Sequence, residues 1–589
     1  MFGFFLWSQG IHAASPEVER VSFDSFWQSS QLGPDRLYLF CEDGDTQIVE
    51  RSGCVLYALG TLVIGRTWGK RALTRIAEQL LSGRDLGQIM REARGQYCLV
   101  ARWRDMVFIV TDWMASFPIY RVRKGSSIQI TNVLPTLLRH NKITLDRQGL
   151  AEYLSFSYCL RGTCFQGIEL LEQGTIHQMG KEYVKRPYRE DFSNLDFEKC
   201  TNLDEASRRV ETQFIENISF LADGGKPFLD ITGGFDGRFT CTLLRSLGVD
   251  FATGICGEQV PREAHIARTV AQKLGVEFRD DFRIHDLELF RETVRTHKRI
   301  ASGVPIPFHS SELIHYYERI KQNHPIHCTG FGGSQTFFSW IRNLGFLSSK
   351  VNISALSDKL FPYLDIFPET TMTRRQFQSC VGQKIQALLD QIGSDCFTHV
   401  SNYLGLFIFN KWYHGCLINT HNCILPIYSP YLEANLFRLL TETAFPLKRH
   451  HRLQKAILTR RNPEVSLVMT THGYTANLEV ADFWAGLKRT ARDTMRRVIY
   501  QSRFLRNCRW WLDQKANRGK PRPRIADTDR QSWVREVLER FDGDTAIYEV
   551  VDRKKVQAAL SGGAAGYILL AKLAYLEDMI RDHGVRTGA

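Results

Sequence analysis

Residues 228–238 read FLDITGGFDGR, an aspartate and an arginine set among three glycines directly after an apolar run. Phe228, Leu229 and Ile231 predict a buried strand, and Thr232-Gly233-Gly234 breaks it. Phe239, Leu243, Leu244 and Leu247 then share one face of a helix that Gly248 ends. Strand, glycine turn and helix together present backbone N–H groups to an anion at a helix N-terminus. On spacing alone, an ordinary tight β–α turn is an equal reading. A second glycine loop follows a later apolar run, in PIHCTGFGGSQTFF. Two such loops at the C-terminal ends of strands in one sheet mark the edge where ligands bind.

The elements that must position these loops are legible around them. From residue 206 onward helical patterns dominate, punctuated by strands near 227–232, 251–255, 276–279 and 325–329. Strands alternating with helices predict a parallel, doubly wound sheet. In PREAHIARTVAQKLG, Ala264, Ala267, Val270, Ala271 and Leu274 face inward and Gly275 is the stop. Upstream, residues 1 to about 190 alternate short apolar runs with turns. Residues 97–103 and 106–111 read as a hairpin across Arg104-Asp105, and PIYRVRKGSSIQIT reads as another. This half is a strand-rich α+β domain, and the polar stretch 188–205 links it to the next.

At 589 residues the chain is too long for one core. No window approaches 18 uninterrupted apolar residues, so no spanning helix is expected. The start, MFGFFLW, lacks a basic segment, which argues against a signal peptide. The 14 cysteines are scattered without C-x-x-C spacing, as in a reduced cytoplasmic chain without a zinc ribbon or disulfide framework. Neither H-E-x-x-H nor G-x-x-x-x-G-K-[ST] occurs, which argues against a zincin and a Walker-type site. The net charge of +13 is local. Residues 488–524 hold 13 Lys/Arg and two Asp, a surplus of 11 in one stretch.

Taken together, these segments resemble the asparagine synthetase family over most of residues 1–475. Thr232, Gly233, Gly234 and Asp236 match that family's S/T-G-G-x-D-S loop, with Gly237 in place of the usual Ser. HIARTVAQKLG is similar to its A-x-x-V/I-A-x-x-L-G helix, and SPYLEANLFRLLTETAFPLKRHHRLQKAIL to its P-F-L-D segment and the basic turn that follows. Thr163, Phe165, Gly167, Ile168, Leu171 and Gly174 carry a resemblance to the class II amidotransferase domain. The resemblance implies an Ntn-type amidotransferase-like domain over 1–195 and a pyrophosphate-loop ATP-binding domain over 200–480. Residues 481–589 are left as a helical, basic extension. It also implies ATP held by Ile231, Thr232, Gly233, Gly234, Asp236, Gly237, Gly254 and Gly330, with Mg²⁺ on Asp236. A substrate carboxylate would be adenylated and captured by an amine or ammonia. Read from the residues alone, an acid in an amide-lined turn partners an anion only when a cation bridges them. Arg238 is a candidate for a phosphate or, equally, for a neighbouring acid.

Three departures from the family pattern follow. Phe2 stands where glutamine-hydrolysing members carry the nucleophilic cysteine, and no Asn-Gly oxyanion pair occurs in the chain. In the second loop Ser334 and Gln335 replace the family's Asp and Glu, and a hydroxyl is a weaker magnesium ligand than a carboxylate. The family's late lysine meets Thr471, with His472 as a substitute positive charge. The expectation is therefore an ATP-dependent amide synthetase without glutaminase activity, in natural-product, peptide or glycan chemistry. The alternative is a catalytically inactive scaffold.

Along 487–524, Leu487, Ala491, Met495, Val498, Leu505 and Leu512 recur at helical spacing. The stretch reads as a basic amphipathic helix, either packed on the synthetase domain or lying against the inner membrane surface or an acidic partner. No nucleic-acid module accompanies it. The sequence leaves oligomeric state open.

Overall fold

The computed structural model describes residues 3–8, 27–32, 35–40, 48–189 (except 126, 161 and 181), 198–255, 261–280, 292–293, 296, 312–337, 350–360, 363–369, 371–405, 411, 414–480, 545–560 and 564–587. Phe2 and the basic stretch 488–524 lie outside the described residues.

The N-terminal half stacks two antiparallel sheets between helical layers. Its strands are β1 (Gly3–Ser8), β2 (Trp27–Leu32), β3 (Asp35–Phe40), β4 (Ile48–Arg51), β5 (Cys54–Ile64), β6 (Thr67–Trp68), β7 (Ala93–Trp103), β8 (Met106–Thr111), β9 (Tyr120–Lys124), β10 (Ser127–Thr131), β11 (Ile168–Leu170), β12 (Thr175–Met179) and β13 (Val184–Pro187). One sheet runs β11-β9-β10-β1-β3-β2 and the other β13-β12-β8-β7-β5-β4, with β6 on β5. Alternation decides which side chain goes where. Along β7, Cys98 and Val100 pack between the sheets with Phe4, Leu6 and Ile130. Tyr97, Leu99 and Ala101 face outward onto the helices Lys70–Leu81 and Leu86–Glu92. With both faces covered, these strands read as nearly unbroken apolar runs. The hairpin over 97–111 forms, with Trp103 opposite Met106. Tyr188 belongs to this half and not to a linker: it is buried, and its hydroxyl donates to the Thr111 carbonyl.

The C-terminal half carries a parallel sheet of β14 (Phe228–Asp230), β15 (Ala252–Gly254), β16 (Glu277–Arg279), β17 (His327–Cys328) and β18 (Ile427–Tyr428), in the order β16-β15-β14-β17-β18. The chain winds outward in one direction from β14 and then returns to its other side at β17. The topological switch point therefore lies between β14 and β17, the two strands that the glycine loops follow. Helices cover both faces: Phe228 sits in one apolar core, Leu229 and Ile231 in the other. Leu247 is a correction to the helical reading. It lies beyond the helix Asp236–Ser246, is 37% exposed, and precedes Gly248 at φ 72°.

The last described residues, 545–587, are not an appendage. Leu569, Leu573 and Leu576 of the helix Ala564–His583 enter the same core as Tyr120, Tyr153 and Leu154 of the antiparallel half. Leu145 N–H donates to the Arg586 carbonyl and Arg586 N–H to that of Ile143, both at 2.8 Å. Among the described residues no helix is long and apolar enough to cross a membrane, and the described cysteines are free thiols.

Candidate functional site

At the end of β14, Ile231 N–H donates to Gly254 O at 2.9 Å, which ties the first loop to β15. Thr232 is exposed, and its hydroxyl accepts from Gly234 N–H at 3.3 Å. The helix Asp236–Ser246 begins without a side-chain cap. Its first-turn N–H groups therefore lack partners within the helix and point toward the loop. Two glycines are fixed by close approach. A Cβ on Gly237 would lie 2.5 Å from Asp230 O, and one on Gly333 would overlap the Asp236 carboxyl.

Asp236 sits where the two glycine loops meet. Ser334 Oγ donates to its Oδ2 and Gln454 Nε2 to its Oδ1, each at 3.1 Å. Burial dominates and pushes its pKa up to about 6, partly offset by those hydrogen bonds and by the Ser334 backbone N–H. Gln454, fully buried, continues outward. With its Nε2 donating to Asp236, its Oε1 accepts from His451 Nδ1 at 2.8 Å, which places a proton on that nitrogen. His450 and His451 both hold left-handed backbone, φ 58° and 61°, at the start of the helix Arg452–Arg461. Such strain persists only where the surroundings enforce it. His451 stacks on Phe235, ring centroids 3.9 Å apart, and His472 and Tyr474 extend the stack.

Asp230 forms a second polar centre under the loop. Burial raises its pKa, but His327 at 2.9 Å and hydrogen bonds from Tyr316 and Thr329 outweigh it and hold the carboxyl below its ordinary value.

The structure brings Ile231, Thr232, Gly233, Gly234, Asp236, Gly237, Gly254 and Gly330 to one edge. His472 stands beside them on the turn 470–474, where Thr471 N–H donates to Gly233 O at 2.9 Å. Arg238 is different, and the expectation for it is corrected. Its fully buried guanidinium turns into the protein and donates to Val468 O at 2.6 Å, Met469 O at 3.0 Å and Val465 O at 3.4 Å. Burial pushes its pKa down to about 10. Its partners among the described residues are these carbonyls, and it holds the chain that leads into the 470–474 turn.

The donor set does not fit a protein-held magnesium ion. Among the described residues Asp236 is the carboxylate at the loop junction, and neutral side chains already engage both its oxygens. Among the described residues no three carboxylate, histidine or cysteine groups converge on a metal-sized site. The uncapped helix start leaves its first-turn N–H groups as donors beside the Asp236 carboxyl. Sequence reasoning missed Asp230, His451 and Gln454. An acid closing an apolar strand was a signal for Asp230; Gln454, in the first turn of the helix Arg452–Arg461, offered none.

No family model matches the chain, and no curated protein matches it. Among solved structures, it is similar to a glutamine phosphoribosylpyrophosphate amidotransferase from B. subtilis complexed with ADP and GMP, at 10% identity and TM-score 0.15, covering 39% of this chain and 53% of that one. A structure described as the allosteric regulatory enzyme of purine biosynthesis also matches at 10% identity, with TM-score 0.18, 44% of this chain and 60% of that one. The chain thus spans only part of the length of either structure. At these scores the likeness carries no inference about fold or activity.

Proposed function

We propose that the C-terminal half binds ATP at the switch point between β14 and β17, and that the chain is an asparagine synthetase-like, AMP-forming amide ligase. One observation carries this reading: two glycine loops meet across Asp236 at the uncapped start of an eleven-residue helix. First-turn N–H groups would hold the phosphates, and the Thr471 turn would close over Gly233. ATP, when bound, supplies the adenylyl group. The antiparallel half, with an Ntn-type layering and Phe2 at the family's thiol position, would not release ammonia from glutamine. The test is calorimetric titration with ATP, then AMP and pyrophosphate release with candidate carboxylates and amines. Glutamate release from glutamine, inhibitable by diazo-oxo-norleucine, would contradict the second half of the proposal.

A second reading, an inactive scaffold of the same fold, draws on the Asp236 geometry. A carboxylate engaged by Ser334 and Gln454 serves to join the loops and needs no nucleotide to do so. Absence of ATP binding at millimolar concentration would decide for the scaffold.

A further inference from the structure

A cleft of about 1960 Å³ lies where the antiparallel half meets the helices Leu203–Ile218 and Ala434–Glu442. Its lining shares no residue with the two glycine loops or the 470–474 turn. Three arginines on its wall form a knot held by main-chain carbonyls. Arg91 Nε donates to Tyr188 O at 2.9 Å, and Arg189 donates to Ala93 O at 2.7 Å and to Arg91 O at 3.4 Å. Arg94, 8% exposed, donates to Glu216 O at 2.6 Å and also to Gly65 O. Carbonyls orient a guanidinium but leave its charge in place.

The carboxylates lining the same cleft are taken elsewhere. Glu92 pairs with Arg84, Glu172 with Lys185 and Glu442 with Arg209, while Gln213 donates to the Glu216 carboxylate at 3.0 Å. None of these four lies within ion-pair distance of Arg91, Arg94 or Arg189; the buried Glu433 carboxylate, behind the wall, attracts Arg94 and Arg189 at longer range and balances one of the three charges. A cluster of guanidiniums at a part-buried wall is stabilised by an anion that enters from outside. The rest of the wall mixes further basic side chains, Arg75, Arg438 and Lys411 among them, with the apolar surfaces of Trp113, Leu388 and Tyr403. The volume exceeds the roughly 300–1,000 Å³ of an ordinary small-molecule pocket.

From this we infer a second binding site, for an organic anion whose phosphate or carboxylate head meets the arginine knot and whose apolar or aromatic body lies along Trp113 and Tyr403. The two head groups share the chemistry, and separate probes distinguish them.

The experiment titrates the full chain calorimetrically with phenyl phosphate, with phenylacetate and with uncharged benzyl alcohol. Thr212 is exposed on the cleft side of the helix Leu203–Ile218, so Thr212→Glu adds a negative charge without removing any arginine. Arg91→Gln, at an exposed arginine, is the second variant, and Thr212→Gln is the neutral control. The expected result is saturable binding of at least one anionic probe with a dissociation constant of about 1 mM or tighter, and none of benzyl alcohol. Binding should weaken about fivefold or more in Thr212→Glu and Arg91→Gln and hold in Thr212→Gln, at unchanged melting temperature. The phosphate-to-carboxylate affinity ratio identifies the head group. No binding of either anion at 10-fold higher concentration (about 10 mM), or binding indifferent to Thr212→Glu, overturns the inference.

Discussion

Replacing Asp236 with asparagine should stabilise the protein at pH 8 and not at pH 4. Its carboxyl is displaced from an ordinary pKa of 3.8 to about 6. At about 1.4 kcal/mol per tenfold change in acidity, ionisation in the folded state is disfavoured by about 3 kcal/mol. The sign follows from linkage: the folded pKa lies above the unfolded one. The group's favourable contribution is therefore complete below 3.8 and is lost as pH rises through about 6. Asparagine has the same shape and no charge to bury. It cannot accept from Ser334 and from Gln454 Nε2 with both of its polar atoms, so one hydrogen bond of about 1 kcal/mol is lost or must be rebuilt by flipping Gln454. The net gain at pH 8 is about 1–2 kcal/mol, or about 3–6 °C in the melting transition of this half. At pH 4 the gain vanishes and the lost bond leaves the variant equal or slightly weaker. Differential scanning calorimetry across pH 4–8 reads both ends. A variant destabilised more at pH 8 than at pH 4 would show that the folded state favours the carboxylate, which refutes the reasoning.

Three more outcomes follow from buried groups. Gly333→Ala should push a methyl into the Asp236 carboxyl and separate the loops, lowering the melting temperature and, on the proposed reading, ATP affinity together in calorimetry. Lys384→Met strands the fully buried Glu152, whose partner ammonium lies 2.6 Å away. The loss should be about 3 kcal/mol in denaturant unfolding, and adding Glu152→Gln should recover most of it. Lys572 donates to Leu154 O at 2.8 Å, and burial pushes its pKa down to about 7 from 10.5. Its contribution is complete above 10.5 and lost as pH falls through about 7, so Lys572→Met should gain stability relative to wild type between pH 9 and pH 6 in thermal melts.

The strand–loop–helix at 228–246 was legible because three signals coincide there: an apolar run, a glycine break and a 3.6-residue period. The antiparallel hairpins were legible from paired short apolar runs flanking a polar turn. Strand β18 was not, since two residues between Pro426 and Pro430 carry no period. Arg238 misled because sequence places it beside the loop, whereas the helix turn carries its side chain inward to the 465–469 carbonyls. The packing of residues 545–587 on the antiparallel half was beyond local pattern: it joins Leu145 to Arg586 across the whole chain. His451 and Gln454 join the site through a left-handed turn and one helical turn, which composition does not record.

The second glycine loop is also held from the other half of the molecule. Gln96, on β7 and almost fully buried, accepts from Ser429 N–H at 2.7 Å and donates to Ser429 O at 3.1 Å. The next contact is Gly95 N–H to the buried Glu433 carboxylate at 2.8 Å. Ser429 Oγ in turn donates to Phe331 O at 2.6 Å, inside the glycine loop that meets Asp236. Without the antiparallel half, both main-chain groups of Ser429 and an oxygen of Glu433 would lose these partners and turn to water. The loop geometry at Asp236 would lose its outer support at the same time. Retention of the antiparallel half thus has a physical reason independent of any chemistry at its own N-terminus. It completes the hydrogen bonding at the end of β18, and through Ser429 it sets where the second loop lies against the first.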